Sequence, residues 1–265
     1  MIGQPEVSYI AEICPFSDIK HAMMFVGLKG CGKHHALNLL CSRLAVPCID
    51  ITEDINREVV QQMESICTPT FFSIDITKVA MKNQNPLLKI LEEANSNCYM
   101  ILLCDDTSLV LPTVVNRCQV IKFRAYTKED LEHFTKDKNL LKVCSTPGDV
   151  MYYQKFDIPA IMSDIDNIYG CIGNASPSNI ISVLPDRLSY GDSDTKIDVS
   201  YYTRLILCYL LEKFILYPDT EYKEAYNVTN RLLYDLDIPN VNKRQLYENY
   251  LLKIKEIYTV DNSGV

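Results

Sequence analysis

The sequence of residues 22–40 is Ala-Met-Met-Phe-Val-Gly-Leu-Lys-Gly-Cys-Gly-Lys-His-His-Ala-Leu-Asn-Leu-Leu. The apolar run from Met23 to Val26 predicts a buried strand, and the apolar periodicity from Ala36 to Leu44 predicts a helix. Three of the nine glycines of the chain lie in the loop between these elements. The order of strand, glycine-rich loop and helix determines which fold the rest of the chain can build.

The spacing Gly27-x-x-x-x-Gly32-Lys33 is typical of a phosphate-binding loop. Glycines let backbone N–H groups converge on an anion, the helix N-terminus adds a positive dipole, and the lysine neutralises phosphate charge. In such loops Ser or Thr usually follows the lysine and holds Mg²⁺, whereas this chain has two histidines there. The residues expected to contact a nucleotide are Gly27, Gly30, Cys31, Gly32, Lys33 and His34.

Composition limits the class of protein. A chain of 265 residues with 48% hydrophobic residues predicts a globular protein with more than one domain. We find neither an apolar run long enough to cross a bilayer nor a signal peptide, so we expect a cytoplasmic protein without membrane contact. The net charge of −8 argues against a protein whose whole surface binds nucleic acid. A local basic patch that contacts nucleic acid within an assembly is still compatible with this charge.

Four further apolar runs predict strands at residues 47–51, 70–75, 98–104 and 119–123, with helices between them. One of these helices is predicted to begin at Thr52 and to extend to Ile66. Strands that alternate with helices predict an α/β fold with a five-stranded parallel sheet and helices on both faces.

Asp75 ends the strand at residues 70–75. Ligands of open parallel sheets lie outside the carboxyl ends of the strands, so Asp75 is expected to face the loop and to organise Mg²⁺. The alternative is an aspartate that caps the following segment.

The second half of the chain predicts helices. The capping box from Thr127 to Asp130 starts a new helix, so a domain boundary is placed near residue 125. Further helices are predicted at residues 161–172, 177–184, 197–217, 221–234 and 243–258, with a polar loop at residues 186–195. This pattern predicts a helical bundle.

Four segments resemble, in order, the clamp-loader AAA+ subunits of DNA replication, nearest to the bacterial DNA polymerase III delta-prime type. The segments are His21-Ala22, residues 27–33, Asn85-Pro-Leu-Leu-Lys-Ile-Leu-Glu-Glu93 and Leu111-Pro-Thr-Val-Val-Asn-Arg-Cys-Gln119. The resemblance implies an AAA+ P-loop domain (1–125), a small helical lid domain (126–158) and an all-α collar bundle (159–265) that joins subunits into a ring. It also implies a hetero-oligomer with other clamp-loader ATPase subunits, a sliding clamp and, through the assembly, primed DNA.

The resemblance assigns Arg117 to the family's arginine finger, which reaches into the nucleotide site of a neighbouring subunit. A fixed guanidinium can stabilise charge that develops on a transferred phosphoryl group. The alternative is that Arg117 pairs with a surface carboxylate of its own chain.

Three family positions are substituted. His34 replaces the hydroxyl residue of the loop, Ile76 replaces a second acidic residue, and Cys104-Asp105 replace a Thr-Asn pair that senses the γ-phosphate. These changes at the Walker A, Walker B and sensor 1 motifs predict a pseudo-ATPase that can still hold ATP or ADP, with Mg²⁺ bound weakly or not at all.

Delta-prime subunits usually carry a four-cysteine zinc module, but the eleven cysteines of this chain occur singly, without any C-x-x-C pair. No zinc and no other metal site is therefore expected.

The sequence thus predicts a hydrolysis-deficient clamp-loader subunit that supplies Arg117 to a neighbour. Two alternatives stay open, an active P-loop ATPase such as a helicase loader and a nucleotide-free scaffold of a replication assembly.

Overall fold

The structure is a computed structural model that describes residues 1–52, 59, 63, 65–92, 95–176, 188–190, 193, 195–218, 221–238 and 241–260. The chain divides into two compact units, Met1–Tyr152 and Tyr153–Val265. In the part of the chain described, no helix combines the length and apolar character that a membrane span needs. The finer division at residues 125 and 158 stays a prediction.

A five-stranded sheet forms the centre of the first unit. Its strands are β1 Ala22–Val26, β2 Cys48–Asp50, β3 Thr70–Asp75, β4 Cys98–Cys104 and β5 Gln119–Lys122. All neighbouring pairs are parallel, in the order β2-β3-β4-β1-β5. The predicted sheet is confirmed, and its order places β4 directly beside β1.

Short helices surround this sheet. They are α1 Pro5–Ser8, α2 Lys33–Leu44, α3 Leu87–Glu92, α4 Pro112–Val115, α5 Lys128–Leu131, α6 Lys138–Val143 and α7 Pro147–Tyr153. The segment Tyr9–Ile13 is π-helical. The helix predicted from Thr52 to Ile66 lies largely outside the described residues.

Both faces of the sheet are covered, because successive side chains of a strand point to opposite faces. On one face, Met23 and Phe25 of β1 pack in one cluster with residues of α2 such as Leu40. On the other face, Met24 packs in a second cluster with residues of α3 such as Ile90. Burial of each large apolar side chain contributes about 1.5–3 kcal/mol, so these two clusters hold the unit together.

The second unit is mainly helical, as predicted. Its helices are α8 Ile158–Cys171, α9 Val199–Leu216, α10 Tyr222–Leu236 and α11 Lys243–Val260. A pair of two-residue parallel strands, β6 Leu188–Ser189 and β7 Ile197–Asp198, is an addition that the all-helical prediction lacked. The predicted helix at residues 177–184 and most of the predicted loop at 186–195 lie outside the described residues.

Candidate functional site

The loop between β1 and α2 has the backbone that its glycines permit. The N–H of Gly27 donates to the carbonyl of Cys104 at 3.0 Å, which fixes the start of the loop to the end of β4. Gly30 and Gly32 have φ angles of 82° and 100°, in the left-handed region that disfavours side chains. The loop therefore leads from β1 into the N-terminus of α2 as a phosphate loop does.

Lys33 is the first residue of α2 and is only 7% exposed. Its Nζ atom donates to the carbonyl of Gly27 at 2.6 Å and to that of Leu28 at 3.2 Å. It also lies 2.5 Å from Oδ1 of Asp105, as a salt bridge. An ammonium group has three donors, and these three acceptors use all of them.

Asp105 follows β4, whose last residue Cys104 lies opposite Val26 in the register of the sheet. This register carries the carboxylate to the edge of the loop, where the family resemblance expects an asparagine. A carboxylate at this distance cancels the charge that Lys33 would offer to a phosphate and repels an anion. The substitution was visible in the sequence, but its pairing with Lys33 depends on the strand order.

The two cysteines of this region contribute no charge. Cys104 is fully buried, and burial raises the pKa of its thiol to about 11. Cys31 is also buried, which raises the pKa of its thiol, and its carbonyl accepts the hydroxyl hydrogen of Tyr126 at 2.8 Å. Both side chains are neutral at pH 7, so Cys31 offers a ligand only its backbone.

His34 and His35 occupy the first turn of α2, and both are exposed at its surface. An imidazole is not a substitute for the hydroxyl that holds Mg²⁺, which prefers oxygen ligands. His34 therefore lies beside the loop, but its side chain supplies no oxygen ligand for Mg²⁺.

Asp75 uses its carboxylate locally. It accepts a hydrogen bond from the hydroxyl of Thr77 and lies 3.4 Å from Nζ of Lys78. Its N–H donates to the hydroxyl of Thr52 at 2.9 Å. These side-chain contacts are local to the segment that follows β3, and the Asp75 side chain makes no capping hydrogen bond to a backbone N–H of this described segment. β4 lies between the strand of Asp75 and β1. Ile76, at the position of the second acidic residue, has an apolar side chain that is fully buried.

A turn from the end of the first unit lies directly on the loop. The N–H of Gly148 donates to the carbonyl of Gly30 at 3.0 Å. A Cβ atom on Gly148 would lie 2.5 Å from Cα of Gly30, so the two backbones meet closely. The buried carboxylate of Asp149 accepts from the N–H groups of Ser145 and Thr146 at 3.1 and 3.0 Å. Asp149 thus stabilises the start of α7.

Arg117 lies between α4 and β5, at the amino end of the sheet strands. Its Nε donates to Oε1 of Glu92 at 2.8 Å, and a second contact closes an ion pair with the same carboxylate. Its Nη1 donates to the carbonyl of Thr113 at 2.7 Å. Because Lys33 and Asp105 follow the carboxyl ends of β1 and β4, the sheet lies between Arg117 and the loop of its own chain.

Gln84 holds the segment that precedes α4, and the sequence offered no signal for it beyond a polar run. It is fully buried, and its Nε2 donates to the carbonyls of Val79 and Leu109, both at 3.0 Å. Its Oε1 accepts the N–H of Leu111 at 2.9 Å. Gln84 is therefore a positioning residue for the element that carries Arg117.

Among the residues described, no group of three or more His, Cys, Asp or Glu side chains is placed to hold a metal ion.

The fold of the first unit is an α/β P-loop fold of the AAA+ kind, and a solved structure has a similar fold. A DNA polymerase III gamma-subunit-related protein from Thermotoga maritima has a similar fold, with a TM-score of 0.53 and 12% identity over 96% of this chain and 99% of that chain. At this identity the likeness concerns the fold alone.

Sequence comparisons point to clamp loaders within that class. Residues 71–127 match the family described as DNA polymerase III, delta subunit. The DNA polymerase III subunit delta' of Haemophilus influenzae is 28% identical over 36% of this chain. Replication factor C subunit 3 of Bos taurus is 30% identical over 33% of this chain. The chain resembles a clamp-loader AAA+ subunit of the delta-prime kind, as the sequence predicted.

These alignments span 29% and 24% of the length of the two curated relatives. The matched family region contains Asp75, Glu92, Asp105 and Arg117. It begins after the phosphate loop, so the match and the loop are independent observations.

Proposed function

We propose that this chain is a clamp-loader subunit of DNA replication that does not hydrolyse ATP. It completes a ring with ATPase partners, supplies Arg117 to a neighbouring nucleotide site, and so helps to load a sliding clamp on primed DNA. The matches to clamp-loader proteins support the class, and the contacts of the loop support the loss of hydrolysis.

The salt bridge between Lys33 and Asp105 is the observation that carries this proposal. A phosphate loop stabilises the β- and γ-phosphates with its lysine, and here that ammonium group already has a carboxylate and two carbonyl partners. A nucleotide must displace Asp105 before Lys33 can bind its phosphates. Nucleotide binding is therefore weakened by the free energy needed to break this ion pair.

Three further positions also argue against ATP hydrolysis in this site. His34 has no hydroxyl group that could hold Mg²⁺, and the buried Ile76 cannot act as a base that activates water. The neutral thiol of Cys104 replaces the residue that senses the γ-phosphate. ATP or ADP can be held by the loop N–H groups, with Mg²⁺ bound weakly or not at all. No other group of the loop replaces these functions, so turnover in this site is not expected.

The position of Arg117 supports a role in a second subunit. The residue lies at the amino end of the sheet strands, away from the loop of its own chain, and its partner Glu92 is about half exposed. An exposed ion pair is worth about 0–1 kcal/mol, so a neighbouring phosphate can take Arg117 from Glu92 at small cost.

A thermal-shift titration with ATP and ADP, with and without Mg²⁺, tests the state of the loop. A nucleotide present at 100 times its dissociation constant would add about 2.7 kcal/mol to stability. We expect a small shift that does not depend on Mg²⁺. A large Mg²⁺-dependent shift together with turnover would instead identify an active ATPase such as a helicase loader.

The same salt bridge favours a second candidate, a nucleotide-free scaffold of a replication assembly. Complete absence of a thermal shift at millimolar nucleotide would support it. Co-purification from the native source followed by mass spectrometry tests the assembly itself. A sliding clamp or a catalytic loader subunit should accompany the chain, and absence of both would contradict the proposal.

A further inference from the structure

Residues 1–4 form a strap that is anchored beside the phosphate loop. Gln4 holds this strap, because its side chain is 2% exposed and bonds twice to the backbone of Arg124. Its Nε2 donates to the carbonyl of Arg124 at 2.9 Å, and its Oε1 accepts the N–H of Arg124 at 2.7 Å. Arg124 follows β5, whose carboxyl end lies beside that of β1. The strap is therefore attached at the edge of the sheet where the loop begins.

Gly3 lets the strap pass close to the start of α5. Its φ angle is 67°, in the left-handed region. A Cβ atom on Gly3 would lie 2.8 Å from a carboxylate oxygen of Asp130, which completes the capping box of α5. A larger residue at this position would displace either the strap or the cap. The path of the strap is thus fixed on this side as well.

The other end of the strap lies on the loop itself. A Cβ atom on Gly32 would lie 3.3 Å from Cε of Met1 and 4.0 Å from the hydroxyl of Tyr126. The same hydroxyl donates to the carbonyl of Cys31 at 2.8 Å. Met1 and Tyr126 pack against the apolar cluster that contains the buried Cys31. Two side chains of the protein itself therefore cover the part of the loop that leads into α2.

The loop is held from a second side by the turn that begins α7. A Cβ atom on Gly30 would lie 2.6 Å from Oγ1 of Thr146, in addition to the backbone contact with Gly148 described above. Within the loop, Lys33 holds two carbonyls through its ammonium group. A loop that binds phosphate must instead direct its N–H groups at the anion. The loop is therefore braced in a form that is closed around its own lysine.

We propose that the strap is an autoinhibitory brace that keeps the phosphate loop closed to nucleotide, with Gln4 as its latch. This inference rests on the proposed function, in which the loop can hold ATP or ADP without turnover. When Gln4 releases Arg124, Met1 moves off Gly32 and the loop is free to open around phosphates. The apparent dissociation constant is the intrinsic one divided by the fraction of molecules with the strap released. A change that releases the strap therefore tightens nucleotide binding.

The reactivity of Cys31 reports the release of the strap without any nucleotide. Cys98 is the internal reference, because it is buried in the cluster on the other face of the sheet and global unfolding exposes both thiols. The full chain is exposed to iodoacetamide for timed intervals, and mass spectrometry of the two peptides gives the ratio of the Cys31 rate to the Cys98 rate. In Gln4→Ala this ratio should rise at least about tenfold, because the buried latch is lost.

Two further variants complete this comparison. Gly3→Ala strains the strap against Asp130 and removes no group from the loop, so the ratio should rise here too. Gln84→Ala removes a glutamine that is also buried but anchors a different segment, so the ratio should stay within about twofold of the wild type. If Gln4→Ala does not fold, Gly3→Ala decides. An unchanged ratio in the strap variants would overturn the proposal.

Isothermal titration calorimetry of Gln4→Ala with ADP tests the regulation itself. We expect a dissociation constant at least about fivefold lower than that of the wild type. An unchanged constant, or no binding to either protein, would overturn the proposal, since the strap would then not control the loop. ATP turnover by Gln4→Ala would contradict the loss of hydrolysis in the proposed function, but not the strap. An unchanged Cys31 ratio without turnover would contradict the strap alone.

Discussion

The Nζ atom of Lys33 lies 2.5 Å from Oδ1 of Asp105, within a loop that otherwise has the form of a phosphate site. The chain thus supplies its own anion to the lysine that would bind a nucleotide. This relationship connects a single substitution after β4 with the loss of hydrolysis that we propose.

Replacement of Asp105 should improve nucleotide binding. In Asp105→Asn, Lys33 loses its competing carboxylate, so we expect ATP affinity to rise at least about fivefold, equivalent to ~1 kcal/mol. The unliganded protein should lose a similar amount of stability, because Lys33 loses its anionic partner and keeps only the carbonyls of Gly27 and Leu28. Both changes are small because Asp105 is 40% exposed, so solvent screens its ion pair with Lys33.

Asp106→Asn is the matched control for that change. It removes the same charge, while the asparagine can still accept the N–H of Ser108 that Asp106 accepts at 2.9 Å. Isothermal titration calorimetry with ATP should show a gain for the Asp105 variant alone. Equal affinities of both variants and the wild type would contradict the role of Asp105.

Gly148→Ala should destabilise the first unit. The added Cβ would lie 2.5 Å from Cα and 3.0 Å from the carbonyl oxygen of Gly30, both backbone atoms that cannot move freely. We expect a loss of about 1–3 kcal/mol in urea unfolding. Gly170→Ala in α8 is the control, because its Cβ meets no atom within 4 Å. That variant should be unchanged or gain about 0.5–1 kcal/mol, and equal losses in both would show that the contact with Gly30 is unimportant.

Gln84→Ala should also reduce stability, by about 2–4 kcal/mol, because it leaves two carbonyls and one N–H in the interior without their side-chain partner. The exposed neighbour Asn83 provides the comparison, and Asn83→Ala should stay within about 0.5 kcal/mol of the wild type. Thermal unfolding followed by circular dichroism measures both. A loss below about 0.5 kcal/mol for the Gln84 variant would exclude the anchoring role.

Alkylation of Cys48 should follow its lowered pKa. The thiolate reacts, so the rate should rise with pH through a midpoint of about 7. Cys41→Ala removes the neighbouring thiol that contributes most to this lowering, so the midpoint for Cys48 should move up towards the ordinary value of about 8.5. The alkylation rate of Cys48 is measured by mass spectrometry of the tryptic peptide 44–57 after timed exposure to iodoacetamide. A wild-type midpoint near the ordinary value, unchanged in the variant, would be inconsistent with the structure.

The sequence was sufficient for the parts of the fold that local pattern determines. The predicted strands at residues 70–75 and 98–104 agree with β3 and β4, because long apolar runs bounded by polar residues define buried strands well. The glycine spacing likewise predicted the loop. The two-residue strands β6 and β7 carry no such pattern and were missed.

Contacts within the site depended on strand order, which the sequence does not contain. The sequence did not indicate that Asp105 contacts Lys33, because this contact depends on β4 lying beside β1. That Asp75 faces the loop and organises Mg²⁺ stays a prediction. For Arg117, the sequence left an arginine finger and an internal ion pair open. The structure shows the pair with Glu92, and action on a neighbour stays a prediction.

The most direct test of the account is ATP turnover of the assembled loader that contains either Lys33→Met or Arg117→Ala in this chain. Lys33→Met removes the ammonium group that would bind a phosphate in this chain's own loop. Because this site does not hydrolyse ATP in our account, turnover of the assembly should stay unchanged. Arg117→Ala removes the guanidinium offered to a neighbour and should lower turnover at least about tenfold, below the 10³–10⁵ range of the strongest arginine fingers. Loss of turnover with Lys33→Met and normal turnover with Arg117→Ala would show that this chain hydrolyses ATP itself and would contradict the account.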